Sequence, residues 1–297
     1  MISLLKSIGK MGFMPVRLSI ALSHLDKRFL AMIPVGTELR FNKYQGKISV
    51  NIDTTYPIEL QMLRGKYDKT TSNIIYRFLH KNAISIDVGA NVGALTLLMA
   101  KIATQGTVIA IEPGPVIFER LKANIELNPD LSARIIAYQI GVGKEGGDLF
   151  WNEDANNRGN AGLLQNSGIV VPVVTLDSLV EPLGLEALDF IKIDVEGMEH
   201  EVIRGALQTI SRFRPLVYFE TLEAFREFRG FDIYGAICDD LSKLDYSLFF
   251  VKRNSLHETE NLKVLSSSNT LAVPEEKVSS LIHKKFTENF LRVTKIN

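Results

Sequence analysis

Ala83-Ile84-Ser85-Ile86-Asp87-Val88-Gly89-Ala90-Asn91-Val92-Gly93 decides the fold of this 297-residue chain. A short apolar strand ends in an acid and two spaced glycines, and an apolar helix follows at once. That order brings backbone amides and a carboxylate to the carboxyl end of a strand, where nucleotide-like ligands dock. Gly89 and Gly93 have no Cβ, so the backbone can come close to a ligand there. Nineteen residues after Gly93, a second apolar strand, Thr107-Val108-Ile109-Ala110-Ile111, ends in Glu112. An acid in that place can accept both hydroxyls of a ribose. The two strand ends together point to a ligand with an adenosine half. For the first stretch alone, an ordinary strand-to-helix turn accounts for the same residues.

Outward from this point, strands and helices alternate. Helical spacing covers Thr71 to His80, Gly93 to Ala103 and Pro115 to Asn128, where Ile117, Leu121 and Ile125 stand four apart. Further strands are expected at Arg134 to Ile140, Leu188 to Ile193, Leu216 to Phe219, Ser247 to Val251 and Thr270 to Val273. Alternation of this kind implies an α/β fold, a mostly parallel sheet with helices on both faces. Between the third and fourth strands, Leu149-Phe150-Trp151 and Ile169-Val170-Val171-Pro172-Val173 read as two strands around a long polar loop. This is an inserted hairpin over the carboxyl edge of the sheet. Residues 1–66 are expected to form a basic extension of short helices and a small hairpin near Ile48-Ser49-Val50-Asn51-Ile52. Residues 67–275 form the main domain, and 276–297 a terminal helix.

Composition narrows the function. The 34 basic and 34 acidic side chains cancel, which leaves no global electrostatic footprint for nucleic acid. Cys238 is the one cysteine, which excludes an intramolecular disulfide and a cysteine-based zinc cluster and suits a reducing cytoplasm. No apolar run is long enough to span a bilayer, and Lys6 and Lys10 interrupt the weakly leader-like start, so the chain is read as neither secreted nor integral to a membrane. Residues 1–45 hold seven Lys or Arg against two acids. They suit either a solvated helical face or contact with an anionic lipid surface or lipid-linked acceptor.

The acid in the first stretch bears on the identity of the ligand. A dinucleotide site needs G-x-G-x-x-G so that the backbone can approach a pyrophosphate. Here the run is D-V-G-A-N-V-G, and Asp87 would repel a phosphate. S-adenosylmethionine carries no phosphate, and its ammonium can be held by an acid. Asp87, Gly89, Ala90, Asn91, Gly93, Glu112 and Pro113 are therefore the candidate cofactor residues. Val142, in the turn after the third strand, is a candidate neighbour of the adenine.

With these residues in place, the chain resembles the FkbM family of S-adenosylmethionine-dependent methyltransferases, from about Tyr67 to Val251. Ile86 to Gly93 and Ile111-Glu112-Pro113 are shared with many methyltransferases. More specific is Thr175-Leu176-Asp177 followed by Ile191-Lys192-Ile193-Asp194-Val195-Glu196-Gly197, with Glu199 and Gly205-Ala206 after it. Gly65-Lys66-Tyr67-Asp68 is similar to the family's G-x-Y-E element, with Asp in place of Glu. Asn157 to Leu163 is similar to its Asn-x-Gly segment near the active site. The resemblance implies a seven-stranded Rossmann-like sheet and methyl transfer to oxygen, often on sugars or other small molecules.

Such a transfer needs alignment and then removal of a proton from the acceptor. Asp194, at the end of the fourth core strand, and Glu196 are the candidates for acceptor binding and proton removal, with Asp194 also beside the cofactor. Glu220, at the end of the fifth strand, is a third carboxylate for the same mouth. Were Asp194 and Glu220 to meet, they could hold Mg²⁺, although no metal-ligand spacing demands it. Glu199 and Glu201 are read as acids interacting with a helix start. His200 is read as a packing residue, and Trp151 as either a wall of the acceptor pocket or an anchor of the inserted hairpin. Two other functions stay open: methylation of a protein or amine nitrogen, and cofactor binding without catalysis.

Overall fold

A computed structural model describes residues 18–19, 33–151, 168–229, 232–252, 255–260, 262, 268–283 and 293–295. Strand β1 (Leu18–Ser19) pairs parallel with β2 (Glu38–Tyr44), which turns back antiparallel into β3 (Ile48–Asp53). In β3 the residues Ile48, Val50 and Ile52 are buried and their neighbours are not. That alternation is what a strand with one covered face requires. Most of the basic segment 1–45, the short helices expected in it and the loop Asn157 to Leu163 lie outside the described residues.

The main sheet starts at β4 (Ile84–Val88), followed by β5 (Thr107–Ile111) and β6 (Ile135–Tyr138). A second, small sheet comes next, made of β7 (Gly141–Val142), β8 (Gly147–Trp151) and β9 (Ile169–Val174). The expected hairpin is β8 with β9; Gly141 and Val142 add a third strand, parallel to β9. The chain then returns to the main sheet with β10 (Phe190–Ile193), β11 (Leu216–Glu220), β12 (Tyr246–Lys252), β13 (Ser255–Thr259), β14 (Asn269–Pro274) and β15 (Val293–Lys295).

The main sheet runs β15-β13-β12-β14-β11-β10-β4-β5-β6. From β6 to β12 this is the seven-stranded Rossmann-like order, parallel except for β14, which is antiparallel to both neighbours. Two strands were not expected, β13 and β15, and they widen the sheet beyond β12. The C-terminal segment is accordingly a helix over Glu275–His283 and then a strand, rather than a helix alone.

Both faces of the sheet are covered. On one face Ile86, Val88, Ile191, Ile193, Val217 and Phe219 pack with residues from the helices Glu199–Arg204, Leu207–Phe213 and Ile233–Ser242, including Cys238. On the other, Phe190 and Tyr218 pack with the helices Lys69–Phe78 and Ala94–Ile102. The β2–β3 hairpin shares a third cluster with Ala90, Val92, Leu97, Phe118 and Leu121. Asn124 and Asn128, on and just after helix Pro115–Glu126, accept hydrogen bonds from the Asn51 and Ser49 amides at 2.7 and 2.8 Å. Buried Glu59 meets the Arg120 guanidinium through both oxygens, at 3.0 and 2.6 Å.

Strand order reverses at β4, whose neighbours are β5 on one side and β10 on the other. Open parallel sheets place ligands in the crevice outside the carboxyl ends of the strands at such a reversal. The residues there are Gly89 and Asp194.

Candidate active site

The register fixes the site. Val88 pairs with Ile193, and Ile193 with Phe219, so Gly89, Asp194 and Glu220 follow side by side at one edge. Gly89 has φ +77°, and a Cβ on it would lie 1.9 Å from the Asp194 carbonyl oxygen. Only glycine allows this approach, and it ties the first loop to the candidate catalytic strand. Gly93, at φ +85°, lies against the end of the Leu121 side chain, 2.6 Å from a notional Cβ.

One residue further in, the register sets Lys192 beside Asp87, both almost fully buried within the sheet. The Lys192 ammonium lies 3.1 Å from Asp87 Oδ1 and 3.5 Å from Asp194 Oδ2, and it donates to the Gly89 carbonyl at 2.9 Å. Burial pushes this ammonium's pKa down, but Asp87 and then Asp194 push it up further, and the net direction is up. Thr96 Oγ1 donates to the other Asp87 oxygen at 2.6 Å. The expectation that Asp87 receives a ligand's ammonium is thereby corrected. Asp87 has no exposed surface, and the ammonium it receives is that of Lys192.

The amides of the first loop are also used within the chain. Those of Gly89 and Ala90 donate to the Ile111 carbonyl at 3.0 and 2.9 Å, and that of Gly93 to Ala90. The Asn91 amide donates to Glu112 Oε2 at 2.9 Å, and the Val92 amide to the Asn91 side chain. An open cradle for a pyrophosphate or carboxylate is therefore not formed by this loop, and Asn91 serves Glu112 instead. Glu112 itself is 5% exposed and takes a second amide, that of Gly114, at 3.0 Å. Burial outweighs these bonds and lifts its pKa to about 7. Each carboxylate oxygen still has a second lone pair for a ribose hydroxyl. Pro113 continues the turn, whereas Val142 is taken into the small sheet opposite Val174.

Beyond Asp194, the loop turns through two left-handed residues, Glu196 (φ +54°) and Gly197 (φ +90°). Phe225 fills the space where a Gly197 Cβ would stand. Glu199 is fully buried and accepts from the amides of Val195 and Gly197 at 3.1 and 3.2 Å, so it braces the loop that precedes its helix. His200 is buried and its Nε2 lies 2.9 Å from Glu201.

Carboxylates gather on this edge. Burial, with Asp194 next, raises Glu196 to about 7 and Glu220 to about 9, and Lys192 offsets part of each shift. Asp68, which caps helix Lys69–Phe78 through the Thr71 amide at 3.0 Å, is raised by burial and also feels Asp194 and Lys192. The Gly65 to Asp68 element thus reaches the site. Among the described residues, no three His, Cys, Asp or Glu side chains are grouped as a metal site. Sequence reasoning missed Lys192. Its trace was there to find: a lone lysine inside Phe190-Ile191-Lys192-Ile193 must be paired when buried.

The residues present fit S-adenosylmethionine better than a dinucleotide. The loop offers no cradle for a pyrophosphate, Asp194, Glu196 and Glu220 gather near Lys192, and Glu112 keeps lone pairs that a ribose hydroxyl could use. Asp194 is the member of the Lys192 cluster open to the crevice, with its side chain 35% exposed.

The chain is similar to known methyltransferases. Methyltransferase sdnD of Sordaria araneosa is 29% identical over 197 residues, covering 52% of this chain and 76% of that one. The hexuronic acid methyltransferase AglP of Haloferax volcanii is 28% identical over 153 residues, covering 50% of this chain and 61% of its own length. A methyltransferase FkbM from Methylobacillus flagellatus KT, of known structure, aligns at 18% identity with a TM-score of 0.45, over 66% of this chain and 44% of that chain. The match thus spans under two thirds of the latter two proteins. The model of the methyltransferase FkbM domain matches residues 87–248, more than half of the chain, and the protein belongs to that family of methyltransferases.

Proposed function

We propose that the protein transfers a methyl group from S-adenosylmethionine to a hydroxyl of a small molecule or saccharide. The observation that carries this reading is Asp194. It is a partly exposed carboxylate at the strand-order reversal, held by Lys192 through Oδ2, on a residue whose backbone carbonyl lies against Gly89. S-adenosylmethionine, when bound, supplies an electrophilic methyl and a neutral thioether leaving group. A neutral alcohol is a weak nucleophile, so a base beside it raises the rate. Asp194 Oδ1, which has no ion-pair partner among the described residues, takes the hydroxyl proton. Lys192 keeps the carboxylate oriented, and Glu196 and Glu220, which hold their protons more tightly than ordinary glutamates, donate hydrogen bonds to neighbouring acceptor hydroxyls. A sugar among the acceptors accords with the hexuronic acid named for AglP. The reaction is set in the cytoplasm, because a single cysteine suits a reducing compartment. Residues 1–45 are proposed to reach an anionic surface or a lipid-linked acceptor.

The acid-rich edge also favours a second reading, transfer to the nitrogen of an amine. The two are separated by Asp194→Asn, assayed with labelled donor against hydroxylated and amine acceptors. For a hydroxyl acceptor, turnover falls by about 100-fold or more while cofactor affinity is kept. Retained turnover on an amine supports the second reading. Cofactor binding with no turnover on any acceptor supports a non-catalytic module.

A further inference from the structure

We infer that Trp151 positions the nucleoside half of the cofactor, an inference that rests on the cofactor reading above. Trp151 closes β8, and its backbone is fixed by pairing with Ile169 and by close approach of Gly168. Its indole lies on Gly114, where a Cβ would come within 2.9 Å of Cζ2 and 3.0 Å of Cε2 and Nε1. Gly114 is the residue whose amide holds Glu112 Oε1. The indole and the candidate ribose acid therefore share one turn.

The indole nitrogen is buried and has no acceptor among the described residues. Indole is a donor only, and a buried donor without an acceptor is unfavourable. A nucleoside brings what is missing: ring nitrogens and ribose oxygens that accept, and a flat π-face that stacks on an aromatic ring. The residue as a whole is only partly buried. A mere anchor for the small sheet would fill its place with apolar contact and gain nothing from an unpaired N–H. On this view the small sheet is a wall of the cofactor site, and binding at Glu112 is felt at the end of β8.

Trp151 is the one tryptophan of the chain, so intrinsic emission reports this position alone. The test is titration of the full chain with S-adenosylhomocysteine and with 5′-methylthioadenosine, which keeps the nucleoside, with binding followed in parallel by calorimetry. Saturable quenching by both, with midpoints equal to the calorimetric Kd values, is expected. Trp151→Phe, which keeps a ring and loses the N–H, weakens binding by about 10-fold, and Trp151→Leu weakens it further. Gly114→Ala, which sets a Cβ against the indole, shifts the emission before ligand is added and weakens binding as well. Calorimetric binding with unchanged emission overturns the inference, as does wild-type affinity in Trp151→Leu. Absence of calorimetric binding to the wild-type chain would instead overturn the cofactor reading itself, and this inference with it.

Discussion

Lys192 holds the site together at the scale of a single residue. It is fully buried in a parallel sheet, and its ammonium joins Asp87, Asp194 and the Gly89 carbonyl. Two charges buried side by side give little net stability, but removing one leaves the other without a counterion. Lys192→Met is therefore expected to cost about 3–5 kcal/mol in urea unfolding. The double variant Lys192→Met with Asp87→Asn recovers part of that loss. A single variant as stable as wild type would show that water or another group satisfies Asp87. The acid of the first stretch was legible as an acid at a strand end, but its partner was not. Which strand lies beside Asp87, and in which register, is a tertiary fact that the strand's own residues do not state.

Among the elements, the loop between β4 and helix Ala94–Ile102 is tightly held. Its φ values are positive at Gly89, Asn91 and Gly93, and its amides are all bonded inside the chain. Gly89→Ala would set a Cβ 1.9 Å from a backbone carbonyl that cannot rotate away. It should cost more than the 1 kcal/mol or so of an ordinary glycine replacement and also displace Asp194. Thermal unfolding and S-adenosylhomocysteine affinity should both fall, and an unchanged pair of values would contradict the geometry. At Asn124, Asn124→Ala removes an acceptor for the Asn51 amide and a donor to the Val92 carbonyl, and should cost about 1–3 kcal/mol in urea unfolding. The strands and helices of the core were legible from periodicity, because a sheet covered on both faces reads as apolar runs. The strands β13 and β15 were not, since Ser-Leu-His-Glu-Thr and Val-Thr-Lys carry no such run and gain their pairing from the sheet edge. The role of the glycine loop was read one step too simply: its amides hold the fold, those of Gly89 and Ala90 on the Ile111 carbonyl and that of Asn91 on Glu112.

Across the whole molecule, the gathered carboxylates make stability depend on pH. Glu59, Glu112, Glu196 and Glu199 rise from 4.5 to about 7, and Glu220 to about 9, each chiefly by burial. A carboxyl that binds its proton more tightly folded than unfolded stabilises the fold fully below its unfolded pKa. That contribution is lost as pH rises through the folded value. Tm should therefore be higher near pH 5 than near pH 9, and Glu220→Gln should flatten the slope above pH 7. A Tm that rises steadily from pH 5 to pH 9 would contradict this account. The same excess of acid, with no phosphate cradle beside it, carries the central claim that the edge receives a sulfonium cofactor. Calorimetric titration of the purified chain with S-adenosylhomocysteine and, separately, with NAD tests that claim most directly. The account predicts saturable binding of S-adenosylhomocysteine and none of NAD; binding of NAD, or of neither, would contradict it.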